Sequence, residues 1–353
     1  MTDSRLLRSF IPPYILNRII AHGSETQRRA AMLTLNHVRS LLPNPAPPLR
    51  PPARTIQLAG KPGLAQRSVH DTQNKMLLPG GAVRLEGQPA SGDRAVDEAY
   101  DALGASYDFF WKVLGRDSID NKGFALIGSV HYGQSYENAF WNGEQMVFGD
   151  GDGEIFQRFT RSLDVIAHEL AHGVTESEAG LIYTGQSGAL NESLSDVFGV
   201  LTKQYALSHT VEQADWLIGA DLLTPRIQGK GLRSMSHPGT AYDDPLLGKD
   251  PQPEHMRKFV ITTEDNGGVH INSGIPNRAF YLAARALGGF AWEKAGRIWY
   301  DTLCDKRLSQ DATFDAFARL SVEHAGKRFG AREVAAVRQG WSQVGIEMSL
   351  EVV

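Results

Sequence analysis

The chain has 353 residues, of which 42% are apolar and 22% charged, and its formal net charge is −4. Ordinary globular composition of this kind excludes a mostly disordered, collagen-like or coiled-coil protein, and it supplies no basic field to hold nucleic acid or an anionic membrane surface. The single cysteine, Cys304, excludes an intrachain disulfide framework and any cysteine-cluster metal site.

Residues 1–16 do not read as a secretory signal. Arg5 and Arg8 could begin one, but Pro12-Pro13 interrupts the chain just after them and no apolar core of adequate length appears. No stretch approaches 18 consecutive apolar residues, so no membrane-spanning helix is expected. The expectation is a cytoplasmic protein, with export by a route that needs no cleaved signal left open. Six of the 17 prolines fall at 43, 45, 47, 48, 51 and 52. Proline-dense chain is extended and makes a poor core, so it reads as a linker. Ahead of it, Glu25 to Leu42 carries Ala31, Leu35, Val38 and Leu42 at helical spacing. The segment is too short to fold robustly alone and is expected to pack on the body.

The body opens with weak strand signal over 68–85. A helix is predicted over 94–114, with Val96, Tyr100, Leu103, Tyr107, Phe110 and Leu114 on one stripe. A strand comes next, over 125–132. A hairpin then turns at Asn142-Gly143, with arms 138–141 and 145–148. Gly149-Asp150-Gly151-Asp152-Gly153 reads as a loop. Predicted helices cover 163–176, 190–207, 275–287, 291–303, 312–328 and 331–343. Strands first and helices later imply an α+β fold in two lobes. Cys304, near Trp299 and Tyr300, is expected to be a buried, inert thiol.

The sharpest chemical feature is His168-Glu169-Leu170-Ala171-His172. A chance His-Glu-x-x-His is expected roughly 0.02 times in such a chain. On a helix, residues four apart share a face, so both imidazoles can bind one zinc ion. Glu169 lies beside them, where it could take a proton from a water that the metal acidifies. A catalytic zinc needs a third protein ligand and an open position. Twenty residues on, Glu192 and Asp196 share one face of a helix whose other face is the stripe Leu190, Leu194, Val197, Leu201 and Tyr205. One of these carboxylates could ligate zinc, while the other could fix the tautomer of a ligand histidine.

This pair of motifs resembles the thermolysin-like neutral metalloproteases. The resemblance extends over about 69–349, through Asn138-Ala139-Phe140-Trp141-Asn142-Gly143, the Gly-Asp-Gly-Asp-Gly loop, Leu232-Arg233-Ser234-Met235-Ser236, Asp265-Asn266-Gly267-Gly268-Val269-His270 and Glu333-Val334-Ala335-Ala336-Val337. It implies a β-rich N-terminal lobe, a mainly helical C-terminal lobe, and a zinc helix along the floor of a cleft. It implies His168, His172 and Glu192 as ligands of one catalytic zinc ion. Glu169 would be the general base and Asp196 the partner of His168. Tyr183 and His270 would donate to the developing oxyanion, with Asp265 orienting His270. The arm 138–141 would be an exposed edge strand for a peptide, held through Asn138 and Ala139. Arg233 would bind the carbonyl beyond the scissile bond. Phe156, Phe159, Val165, Ile218, Leu222 and Leu232 would line a pocket for a large hydrophobic side chain after that bond.

Two departures stand out. Where secreted members carry calcium-binding carboxylates, this chain keeps Asp164 and Asp215 but has Lys203, Leu217, Ala220 and Lys230. The expectation is that calcium is absent and that Lys203 and Lys230 replace it, the Lys203 ammonium pairing with Asp164 and Asp215. Second, Pro12-Pro13-Tyr14 near the N terminus resembles the short propeptide of protealysin-like enzymes. That resemblance implies a self-inhibited zymogen opened by a cut within 43–68. The expected division is propeptide and linker over 1–55, an N-terminal lobe over 56–176 and a C-terminal lobe over 177–353. The expected partners are protein or peptide substrates and the chain's own propeptide, in a monomer. Two other classes compete. A noncatalytic binding protein would have no need to keep Glu169, Tyr183 and His270 together. A zinc-stabilised structural protein would usually offer four ligands, several of them cysteines.

Overall fold

The computed structural model describes residues 8–40 and 61–348; the proline cluster, Leu42 and most of the expected cleavage region lie outside them. The chain packs as two compact units, Met1–Gly173 with Asp221–Ile227, and Val174–Ala220 with Gln228–Val353.

In the first unit, β1 (Arg8–Ser9) leads into α1 (Pro13–His22) and α2 (Glu25–Ser40). α1 is a helix that the sequence pattern does not predict. Pro13 sits in its first turn, where a missing N–H costs nothing and the fixed φ suits the helix. The proline pair is therefore a start signal and not an interruption. Ile15, Leu16 and Ile19 of α1 and Ala31, Leu35 and Val38 of α2 are all buried, and the two helices pack against each other.

The rest of this unit is built on one sheet. Its strands are β2 (Arg67–Asp71), β3 (Gly81–Leu85), β4 (Leu126–Val130), β5 (Ala139–Trp141) and β6 (Met146–Phe148), in the order β1-β5-β6-β4-β2-β3. β4 runs parallel to both β2 and β6, and the other pairings are antiparallel. The hairpin turns at Asn142-Gly143, where Gly143 takes φ +93°. α3 (Arg94–Leu114) packs on β2 and β4. The Asp93 side chain accepts from the N–H groups of Ala95 and Val96 at its start, and Gly115 ends it in the left-handed region. Its six predicted stripe residues are all buried.

Segment 138–141 corrects an expectation. It is not an exposed edge strand, for all four of its residues are buried. The chain's own β1 lies antiparallel along it, pairing Arg8 with Trp141 and Ser9 with Phe140.

α4 (Leu163–Glu178) begins in the first unit and ends in the second. Asp164 lies in its first turn, where a carboxylate suits the helix dipole, and accepts from the Ser162 hydroxyl at 2.6 Å. A Cβ at Gly173 would come within 2.9 Å of Ile119 and 3.2 Å of Trp141, so only glycine lets the helix approach β5 this closely.

The second unit is mainly helical: α5 (Gly185–Leu207), α6 (Asp265–Asn272), α7 (Gly274–Leu287), α8 (Ala295–Leu303), α9 (Phe314–Arg328) and α10 (Ala331–Gln343), with the short pair β7 (Leu217–Ile218) and β8 (Arg233–Ser234). α5 is buried on every side from Ser187 to Thr202, as a central helix must be. It touches α6, α7, α8 and α9. Tyr205, on its predicted stripe, is only half-buried. Around α8, Trp299 stacks on Trp341 at 5.9 Å and meets Phe280 edge-on at 5.1 Å. Cys304, expected to be buried, is half-buried just past the end of α8.

Candidate active site

On α4, His168, Glu169 and His172 are fully buried. Their four-residue spacing sets the two imidazoles 4.7 Å apart, nearly perpendicular. Ligand atoms of His168, His172 and Glu192 lie within 4.8 Å of one another, and they form the one such group among the described residues. Two imidazoles and a carboxylate, all withdrawn from water, are a donor set that suits zinc, and with three protein ligands such a site keeps a position open. Burying these groups together without a cation would carry a large desolvation cost.

Glu192 also belongs to a second network. The Tyr183 hydroxyl donates to Glu192 Oε1 and lies 3.3 Å from His270 Nε2, which is 3.5 Å from Glu192 Oε2. The other ring nitrogen of His270 meets Asp265 Oδ1 at 2.6 Å, and its backbone N–H donates to Asp265 Oδ2 at 2.9 Å. Asp265 therefore fixes both the ring and the main chain of His270. Burial alone would lower the pKa of this imidazole, but the carboxylates of Asp265 and Glu192 lift it to about 9. The local backbone explains why the string is glycine-rich. Asp265, Asn266, Gly267 and Gly268 all take positive φ, 51°, 51°, 84° and 75°, a left-handed turn that asparagine and glycine tolerate best.

Asp196, one turn after Glu192, is held by Arg233. The guanidinium donates from Nε at 2.8 Å and from Nη2 at 2.7 Å, and both side chains are buried. Asn277 adds a donor to Asp196 Oδ2 at 2.9 Å. Sequence reasoning missed Asn277. Its one trace is a polar residue three and seven places before Phe280 and Ala284, on the buried face of α7.

Asn138 and Ala139 carry the N-terminal segment. Phe10 N–H donates to the Ala139 carbonyl at 3.0 Å. The Asn138 side chain accepts from Ile11 N–H at 2.8 Å and donates to the Ser9 hydroxyl. The Phe10 ring meets His168 edge-on at 5.1 Å. Nothing in the periodicity of residues 8–11 marks them for this, because a two-residue strand has no period to read.

All six expected pocket residues are buried. Phe156 and Phe159 are in ring contact at 6.0 Å, and Ile218 and Leu232 are joined by a backbone hydrogen bond at 2.8 Å. Of the expected calcium substitutes, Lys203 reaches Asp215 Oδ2 at 2.9 Å, while Lys230 is exposed.

Known proteins resemble this chain over nearly its whole length. The family described as "Thermolysin metallopeptidase, catalytic domain" matches residues 71–176, "Thermolysin metallopeptidase, alpha-helical domain" matches 179–346, and "Protealysin propeptide" matches 8–49. An "Extracellular metalloprotease" of Pectobacterium carotovorum is 63% identical over 99% of both chains. "Thermolysin" of Alicyclobacillus acidocaldarius is 40% identical over 78% of this chain and 50% of its own. The solved structure "Precursor of Protealysin, Metalloproteinase from Serratia proteamaculans" is 62% identical with a TM-score of 0.90, covering 96% of this chain and 99% of that one. The chain therefore belongs to the thermolysin family of metallopeptidases, hydrolases of peptide bonds, and its N-terminal segment groups it with the protealysin-like members.

Proposed function

We propose that this chain is a zinc endopeptidase made as a self-inhibited zymogen, cutting before large hydrophobic residues. The observation that carries the inhibition is the main-chain pairing of β1 with β5, since β5 is the strand a substrate peptide would extend. With Phe10 and Ile11 fully buried there, substrate and segment compete for the same hydrogen bonds. A cut within 43–68 would remove the tether that keeps the segment at this edge.

Zinc, when bound by His168, His172 and Glu192, supplies a Lewis acid that polarises the scissile carbonyl and acidifies water. Glu169 takes the proton of the attacking water and returns it to the leaving amine. Tyr183 and His270 donate to the oxygen on which charge develops, and Asp265 keeps His270 aimed. Arg233, fixed in one orientation by Asp196, donates to the carbonyl beyond the scissile bond. Phe156, Phe159, Val165, Ile218, Leu222 and Leu232 offer apolar side chains alone, which favours a large apolar substrate residue. One preparation tests this reading. Cutting the segment away is expected to raise peptidase activity about tenfold or more, since an edge occupied nine-tenths of the time leaves one-tenth active. The new cuts in a protein substrate should precede Phe, Leu or Ile. Equal activity before and after release removes the inhibition, and cuts without apolar preference remove the pocket.

The pairing of Lys203 with Asp215 supports a body braced without calcium. An ammonium at that position repels a divalent cation and takes up one of its carboxylate ligands. A calcium-selective chelator is expected to leave the melting temperature of the zinc-loaded protein unchanged. A fall in that temperature with zinc still bound counts against the substitution.

A further inference from the structure

His37, in the last turn of α2, is the histidine through which the N-terminal segment enters an aromatic cage. Its Nδ1 lies 2.8 Å from the Tyr136 hydroxyl and its Nε2 lies 3.1 Å from the Tyr132 hydroxyl. The rings of Tyr132, Tyr136 and Phe140 surround it at 5.6, 5.6 and 5.7 Å. Val38, the next residue, is buried in one cluster with these three and Val147. Resting on the reading that this segment is the inhibitor, we propose that His37 makes its docking acid-sensitive: a proton on the imidazole loosens α2 from the cage and opens the zymogen.

The hydrogen bonds give the first reason. A neutral imidazole has one donor and one acceptor, so one tyrosine hydroxyl accepts from it and the other donates to it. A charged imidazole can only donate. The tyrosine that had donated must then turn its O–H elsewhere, and both candidates are buried, Tyr136 at 0% and Tyr132 at 3% exposed.

The charges around the cage give the second. From the loop after β4 it is faced by Tyr132 and Tyr136, both neutral and both raised further by burial. Next to them, Glu137 donates its backbone N–H to the Thr34 hydroxyl of α2 at 3.1 Å. Burial and the nearby Asp152 push the Glu137 carboxyl up to about 9, which favours its neutral form. His131 of the same loop is tied to Asp93 and Asp150. β5 and β6 carry no ionisable side chain, α1 carries Tyr14, Arg18 and His22, and the one acid of α2 is Glu25 at its far end. None of these offers the imidazolium a counter-ion. Cation–π attraction from the three rings acts the other way, and against it stand the broken hydrogen bond and the uncompensated burial of the charge.

Burial accordingly lowers the His37 pKa from its ordinary 6.5. Because the docked ring holds its proton less tightly than the released one, acid favours release. Docking is at full strength above about pH 6.5 and is lost as pH falls from there through the depressed value, by up to about tenfold per pH unit inside that window.

Hydrogen exchange on the full chain carrying Glu169→Gln, which keeps the linker uncut, reads docking directly. Between about pH 7.5 and about pH 5, the amides of α1 and α2 should lose protection after correction for intrinsic exchange. The same chain with His37→Gln, which keeps a neutral hydrogen-bonding side chain, should show no such loss. Parallel pH profiles for the two chains overturn the proposal. So does an NMR titration placing the docked His37 ring at or above the ordinary histidine value, a measurement that needs no substitution at His37. A full chain as active as its cut form at neutral pH, but with acid-labile protection that depends on His37, supports the latch and overturns the inhibition reading alone.

Discussion

Glu169→Gln is expected to lower the rate of peptide hydrolysis by about 10²–10⁴-fold while zinc stays bound at one ion per chain. Glutamine fills the same volume on α4 and leaves the His168 and His172 spacing untouched, so the three ligands that converge within 4.8 Å remain. The variant lacks only a carboxylate that can accept a proton beside the scissile carbonyl. Elemental analysis of the purified variant, set against its kcat on a peptide substrate, separates the possibilities. Loss of zinc together with activity would mean that Glu169 supports the ligands instead of moving a proton. Full activity with zinc bound would remove it from the reaction. A full chain that cuts its own linker should also remain intact in this variant.

Asp196→Ala should cost about 3–5 kcal/mol of stability, a large part of the roughly 5–15 kcal/mol that a folded domain commands. The side chains of Asp196 and Arg233 are 0% and 2% exposed. Truncating the acid takes from the buried guanidinium the carboxylate that accepts from both Nε and Nη2, and Asn277 loses its acceptor as well. A urea unfolding midpoint measures the loss. The double variant Asp196→Leu with Arg233→Met should recover most of it, because replacing both members of a buried pair by apolar side chains removes the stranded charge. The same double variant should remain a poor peptidase, since the proposed donor to the substrate carbonyl is gone. If it regains activity along with stability, Arg233 is structural only. A single Asp196→Ala that unfolds like the parent would show that the guanidinium finds another partner.

Most of this site is legible in the sequence because its chemistry is local. His168, Glu169 and His172 stand at helical spacing, so their common face follows from the period alone, and Glu192 and Asp196 repeat the pattern on α5. The glycine-rich Asp265–His270 string also announces an unusual backbone, although its left-handed turn has no periodic signature. The features that escape are long-range or small. β1 is two residues long and pairs with a strand about 130 residues away, so only tertiary structure creates it. Cys304 and Tyr205 sit at or near helix ends, where a stripe inferred from spacing overstates burial. Asn277 hides among apolar neighbours, and its meaning depends on a carboxylate 81 residues earlier. Pro12-Pro13 shows the opposite failure, a strong local signal read with the wrong polarity, as a break instead of a beginning.

The pairing of β1 with β5 also bears on the consequence of a linker cut. Among the described residues, the contacts that hold the segment lie within residues 8–40, upstream of the proline cluster. Severing the linker therefore breaks none of them; it only removes the tether. Before the cut, the edge faces a partner at the high effective concentration of a short connection, and afterwards it faces one free to diffuse away. Under the proposed zymogen reading, activation is in that sense a dilution. In a confined space at high protein concentration, a nicked chain would remain largely shut, and it would open on passing into a larger volume.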